Sequence, residues 1–286
     1  MRTPIAARPG RRLPRGARRG LGVALAAVVA LLLLLASGCG LDSDSSDDTE
    51  RTDEPTTEAS GGSADEEVQA AVAELLDDSF RFSASYGTEI EAVEASPAVD
   101  AFVDQSSGSI DFEGEYESAG RFVVEAESGV MLTFYDGEVY GAASGGSAEV
   151  LDSEDRERQS LADLPALIEA STEAGTFEDA GVEQLDGEDV RHYSGTSDGT
   201  ALRDAYARAN SFAQVPPPDD VLSIEDARVD VYVDEASGDL VRQTEETTLV
   251  LDFGGLGLGA DGVARLVLTQ ERDFSDQGDP IVVVRP

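Results

Sequence analysis

Residues 110–116 read Ile-Asp-Phe-Glu-Gly-Glu-Tyr, and every odd position is acidic. A helix cannot use that period. Side chains two apart share a face only in an extended strand, so this stretch must show one apolar face and one charged, solvated face. Phe80–Ala84, Arg121–Ala126 and Val130–Tyr135 carry the same signal. Asp136-Gly137 is a two-residue hairpin turn leading into Glu138–Ala142. The spacing predicts an antiparallel meander, the kind of sheet that commonly leaves one face in water.

Helices interrupt the strands singly. Val68, Val72, Leu75 and Leu76 form an amphipathic stripe, with Asp65, Glu66 and Glu67 at the positive end of its dipole. A second helix is predicted over Ser160–Ala174. Ser160 or Asp163 can cap it, Pro165 fits its first turn, and Gly175 fits the position just past its end. Leu161, Leu164 and Ile168 line one side of it. A hairpin follows, Val182–Leu185 and Glu188–Ser194 around Asp186-Gly187. A third helix is predicted near Thr200–Asn210, and Pro216–Pro218 is a stiff connector. Arg228–Asp234, Leu240–Phe253, Val263–Asp273 and Ile281–Val284 complete the sheet. The order implies an α+β domain: a long curled antiparallel sheet with helices on its inner face.

Charge divides the chain in three. Seven of the 20 basic residues precede residue 20, no acid precedes Asp42, and the rest carries 13 Arg against 59 acids. The basic start leads into Val23–Ala36, fourteen residues without a polar side chain, and then Ser37-Gly38-Cys39. This describes a secretory signal peptide over residues 1–38, its apolar run shorter than the ~20 residues of a spanning helix. Leu35-Ala36-Ser37-Gly38-Cys39 resembles a bacterial lipobox, which implies a diacylated Cys39 as the mature N-terminus. Ala36 stands where Leu is more usual. An uncleaved anchor is the alternative, and Arg11-Arg12 and Arg18-Arg19 leave the export route open. Residues 39–63 hold eight acids and almost no apolar side chains, an acidic disordered tether. Residues 64–286 form one domain.

The same counts exclude several chemistries. A net charge of −39 argues against binding nucleic acid. One Cys and one His exclude an internal disulfide and a multi-histidine metal site. No calcium loop occurs in the tether, and no cofactor is expected. Gly195-Thr196-Ser197-Asp198-Gly199 matches G-x-S-x-G, but the sole His192 precedes it on the same strand, against the order a nucleophile elbow needs. Ser197 is read as a cap or turn residue. Gly257–Gly262 matches G-x-G-x-x-G, but it leads into the β-like Val263–Thr269 rather than a helix. It is read as a loop whose Leu256 and Leu258 either touch a membrane, gate a cavity or pack back. No enzyme is expected. The absence of Lys beside many acids fits high-salt adaptation, and GC-rich coding equally explains Arg in place of Lys.

These features together resemble the LppX/LprG-type lipoproteins and, more distantly, the LolA/LolB-like domain, over residues 64–286. The resemblance is carried by Cys39, the tether, Phe80-Arg81-Phe82, Phe134–Tyr140, Leu161–Gly175, Asp186–Gly195, Val231–Asp234 and Ser237–Arg242. The acidity and the insertion-like Thr88–Ser107 depart from it. It implies a half-open barrel with helices packed on its concave face. The space between holds acyl chains of lipids or glycolipids carried through the cell envelope. The protein would be a monomer, anchored on the outer face of the plasma membrane, with an envelope transporter as a candidate partner. Candidate lining residues are Phe80, Phe82, Phe112, Tyr116, Phe122, Val124, Leu132, Phe134, Tyr140, Leu164, Ile168 and Val190. Each either lines such a cavity or belongs to a filled core. With a filled core, the chain would be a non-catalytic surface interaction or regulatory module.

Overall fold

The computed structural model describes residues 63–143, 146–151, 164–197, 199–202, 222–255 and 261–286. The leader, Cys39 and the tether up to residue 62 lie outside them. So do the predicted connector, the loop leucines and most of the predicted third helix, of which residues 199–202 are helical.

Eleven strands form one antiparallel sheet in the order β6-β5-β4-β3-β2-β1-β11-β10-β9-β8-β7. Its first half is β1 (Phe80–Glu94), β2 (Gly108–Ser118), β3 (Arg121–Ala126), β4 (Met131–Tyr135), β5 (Glu138–Ala142) and the short β6 (Glu149–Val150). The second is β7 (Gly175–Leu185), β8 (Glu188–Ser197), β9 (Leu222–Asp234), β10 (Leu240–Asp252) and β11 (Val263–Ser275). The edge strands β6 and β7 do not pair with each other, so the sheet curls without closing. Besides the helical residues 199–202, the described helices are α1 (Ala64–Asp77), α2 (Pro97–Ser106) and α3 (Leu164–Glu173). The expected α+β architecture is present.

Both Asp-Gly turns take positive φ at each residue, 50° and 86° at Asp136-Gly137, 54° and 97° at Asp186-Gly187. Those angles match the right-handed twist of the flanking strands, which fixes the register of both hairpins.

Helix α1 starts at Ser63, whose hydroxyl accepts from the Glu66 amide while the Glu66 carboxylate accepts from the Ser63 amide. Val68, Ala71, Val72 and Leu75 face the sheet. The first-turn acids do more than meet the dipole. Asp65 Oδ1 accepts from the Phe177 amide at 2.6 Å, and Glu67 Oε2 accepts from the Tyr193 hydroxyl at 2.5 Å, docking α1 on β7 and β8. Burial, then Glu67, pushes the Tyr193 phenol well above its ordinary pKa, so it stays a donor.

Two expectations are corrected. Gly175 is not a helix cap. It opens β7 without a left-handed φ, and a Cβ there would lie 2.6 Å from the Phe177 ring. The insertion-like Thr88–Ser107 is the end of β1 followed by α2, which Ser96 caps and Pro97 begins. Ile281–Val284 is not a strand of the sheet. It crosses the outer face, with Ile281 and Val283 buried and Val282 and Val284 exposed. The Val283 amide donates to Glu117 Oε2 at 2.8 Å, and Arg285 donates to the Tyr140 hydroxyl and to Glu138.

Candidate functional site

Register decides which side chains share the inner face. Phe80 and Phe82 pair with Tyr116 and Gly114, and Ala84 pairs with Phe112. Tyr116 pairs onward with Phe122 and Gly114 with Val124. Phe122 and Val124 pair with Phe134 and Leu132. Eight of the predicted lining residues therefore form one continuous patch across four strands. Their rings stack: Phe80 on Tyr116 at 4.5 Å between centroids, Phe122 on Phe134 at 4.1 Å. Phe274 meets Phe80 edge-on at 5.6 Å. Ile168 of α3 is fully buried in the same cluster.

The remaining three separate. Tyr140 pairs with Thr133, one residue out of phase with Phe134 and Val139. It lies on the outer face, buried beneath the C-terminal segment with Arg285 against its ring. Val190 sits three residues along an unbroken strand from Tyr193, whose partner Val231 is in the inner cluster. That odd spacing puts Val190 on the outer face with His192, where it is buried outside the inner cluster. Leu164 opens α3, and its side chain lies outside the described residues.

Sequence reasoning missed part of the site. Phe177, Tyr193, Val229, Val231, Leu240 and Phe274 complete the inner cluster. Alternation already put Val229 and Val231 on one side of β9, but which side faces inward, and where Phe177, Tyr193, Leu240 and Phe274 stand on β7, β8, β10 and β11, follows from the register. Tyr116 ties the sheet to α1 through its hydroxyl, which donates to the Leu76 carbonyl at 3.2 Å. Gln243, fully buried on β10, ties it to α3: its amide donates to Ser171 Oγ at 2.8 Å and to the Ile168 carbonyl at 3.4 Å.

The outer face is ionic. Arg121 bridges Asp136 and Glu117 and lies over the Tyr135 ring at 4.9 Å. Its hydrogen bond holds Asp136 below the usual carboxylate range. His192 stacks on Tyr232 at 4.6 Å, with Nε2 2.9 Å from Asp230 Oδ1. Ser197 ends β8, five residues beyond His192. At ~3.3 Å per residue the two are about 16 Å apart and on opposite faces, too far for a nucleophile–base pair. Ser197 Oγ is buried and has no hydrogen-bond partner among the described residues. Among those residues, no group of three or more His, Cys, Asp or Glu is placed to hold a metal ion.

No family model and no curated protein matches the sequence. Solved structures similar to this chain include the lipoprotein LppX of Mycobacterium tuberculosis, at 13% identity over 76% of this chain and 98% of that one, with a TM-score of 0.37. LprF of Mycobacterium bovis is 13% identical over 78% and 96%, with a TM-score of 0.42. A LolA superfamily protein of Nitrosomonas europaea is 12% identical over 78% and 96%, with a TM-score of 0.26. At these scores the fold assignment rests on the strand order and register of the sheet itself.

Proposed function

We propose that this chain is a membrane-anchored lipoprotein that binds and carries lipid or glycolipid acyl chains between its sheet and its helices. One observation carries the reading. Among the described residues the main apolar cluster has 22 buried members, 17 from strands and five from helices, Val68, Ala71, Val72 and Leu75 of α1 and Ile168 of α3. A two-layer core needs comparable surfaces on both layers. Among the described residues the sheet carries a broad apolar layer that faces few helical side chains, and in this reading an acyl chain lies between the layers. Each CH₂ it buries contributes roughly 0.8 kcal/mol, enough for retention through purification. The stacking of Phe122 on Phe134 favours a second reading, a filled core in a non-catalytic interaction module.

Three substitutions separate the two. Val124→Trp, Phe134→Asp and Ile168→Asp each put bulk or charge on the inner face. In a carrier they eject lipid at modest cost to folding, because a mobile chain yields the space. In a filled core an unpaired buried charge costs several kcal/mol. Lipid extracted from wild type and absent from folded variants supports the carrier. Collapse of all three, with no lipid ever found on wild type, establishes the filled core.

The anchor in this reading is a diacylated Cys39 on the outer face of the plasma membrane, with an acidic tether holding a monomeric body away from the bilayer. Two acyl chains hold such a protein firmly. Cys39→Ala is expected to be released or to stay unprocessed. Membrane partitioning of a mature-size Cys39→Ala protein, as in wild type, would refute the anchor.

A further inference from the structure

The outer face carries an apolar patch among its charges. Register aligns Glu113, Glu125, Met131 and Ala142 in one outward-facing row across β2–β5. The next row ends in Tyr140, which the C-terminal segment covers, and Val150 on β6 pairs with Tyr140 on the same face. Along that segment Val282 and Val284 are each 74% exposed. Four of the six large apolar side chains exposed among the described residues, Met131, Val150, Val282 and Val284, therefore stand on this one part of the outer face. Scattered single apolar residues are ordinary on a surface; a concentration of this kind marks an interaction site.

Charge and backbone say what covers it. Glu113 and Glu125 stand directly opposite each other and exposed, a like-charge pair that destabilises a sheet. Among the described residues no Arg bridges either of them. The burial of alternate residues makes Ile281–Val284 an extended segment, and its Val283 amide is held by Glu117. The Val282 and Val284 amides, on the other edge of that segment, have no acceptor among the described residues. We propose that this face docks an extended, cationic segment of a partner protein, lying beside the C-terminal segment as an added strand. Its carbonyls accept from the Val282 and Val284 amides. Its apolar side chains rest against those valines and Met131, and its Lys or Arg residues reach Glu113 and Glu125. A body with 51 acids and 12 Arg repels both a second copy of itself and an anionic membrane, which leaves a basic protein as the occupant. The proposal is independent of what the inner face holds.

The test measures binding of a fluorescent peptide of alternating Lys and Val to the full chain, against a Lys–Ser peptide of equal length and charge. Wild type is expected to bind the Lys–Val peptide about tenfold more tightly, since only that peptide buries apolar surface. Val282→Ser with Val284→Ser should abolish the preference and melt with wild type, because both side chains are exposed. Val182→Ser, equally exposed on β7 at the opposite edge of the sheet, should leave the preference intact. Glu113→Gln with Glu125→Gln should weaken the Lys–Val peptide about fivefold and raise the Tm, because it removes two partners of the ligand and their mutual repulsion. Equal binding of the two peptides by wild type, or wild-type binding by both folded double variants, overturns the proposal. A dimer in sedimentation, or retention on phosphatidylglycerol vesicles, that the valine double variant abolishes also overturns it, since another occupant then uses the face.

Discussion

Gly114→Val is expected to lower stability by about 3 kcal/mol or more, beyond the usual cost of overpacking. For a domain of this size that is a fall of roughly 6–12 °C in Tm. Gly114 pairs with Phe82 on one side and Val124 on the other. A Cβ there would lie 2.2 Å from Phe82 Cζ and 2.5 Å from the Val123 carbonyl oxygen. The ring could swing away, but the backbone oxygen belongs to the ladder and cannot move without breaking pairing. Glycine therefore lets an aromatic ring lie flat across a neighbouring strand. Gly120→Ala is the control, since nothing lies within 4 Å of its Cβ and its φ is not left-handed. Its effect should stay within about 0.5 kcal/mol. Equal melting of the two variants would show that Phe82 does not occupy this position.

The Tm should rise by several degrees between 0.1 and 1 M NaCl. Over residues 64–286, 12 Arg face 51 acids. Several Arg already serve two or three acids each: Arg81 bridges Glu115 and Asp276, and Arg242 bridges Asp186, Glu271 and Asp273. Exposed pairs of this kind contribute at most about 1 kcal/mol each, so screening them costs little. The surplus acids repel one another, and the Debye length falls from about 10 Å to about 3 Å over that range. Relief of repulsion should win. A Tm unchanged or lower at 1 M would mean that the bridges outweigh the surplus.

The strands with strict alternation, β2 and β3, and the two Asp-Gly hairpins were legible because local chemistry alone fixes them. Strand β7 was legible only from Val182 onward. At the edge of the sheet its first half carries Glu178 and Asp179, and the register shifts between Asp179 and Gly181. That irregularity spoils the period-two pattern and discourages pairing with other chains. Helix α2 had a readable start in Ser96-Pro97, overlooked beside the long alternation before it. Tyr140 was misplaced because Val139 and Tyr140 are both buried, one by the sheet's inner layer and one by the C-terminal segment. Single-residue parity cannot reveal a cover that arrives from 145 residues away. Three buried polar residues were hidden for a related reason: Gln243, Glu245 and Arg272 have the side chains of a solvated face and sit on the buried one.

The pairing of β1 with β11 at the middle of the sheet has a kinetic consequence. Strands β1–β6 and β7–β11 are each built from chain neighbours, and the one seam joining them aligns Arg81 with Ser275. That seam cannot form until Ser275 has left the ribosome. Such non-local pairing slows folding toward the millisecond-to-second range. The halves can assemble as separate hairpin stacks, each showing a raw strand edge, β1 or β11, until the other arrives. A chain whose central join comes last exposes an open strand edge for as long as its synthesis lasts.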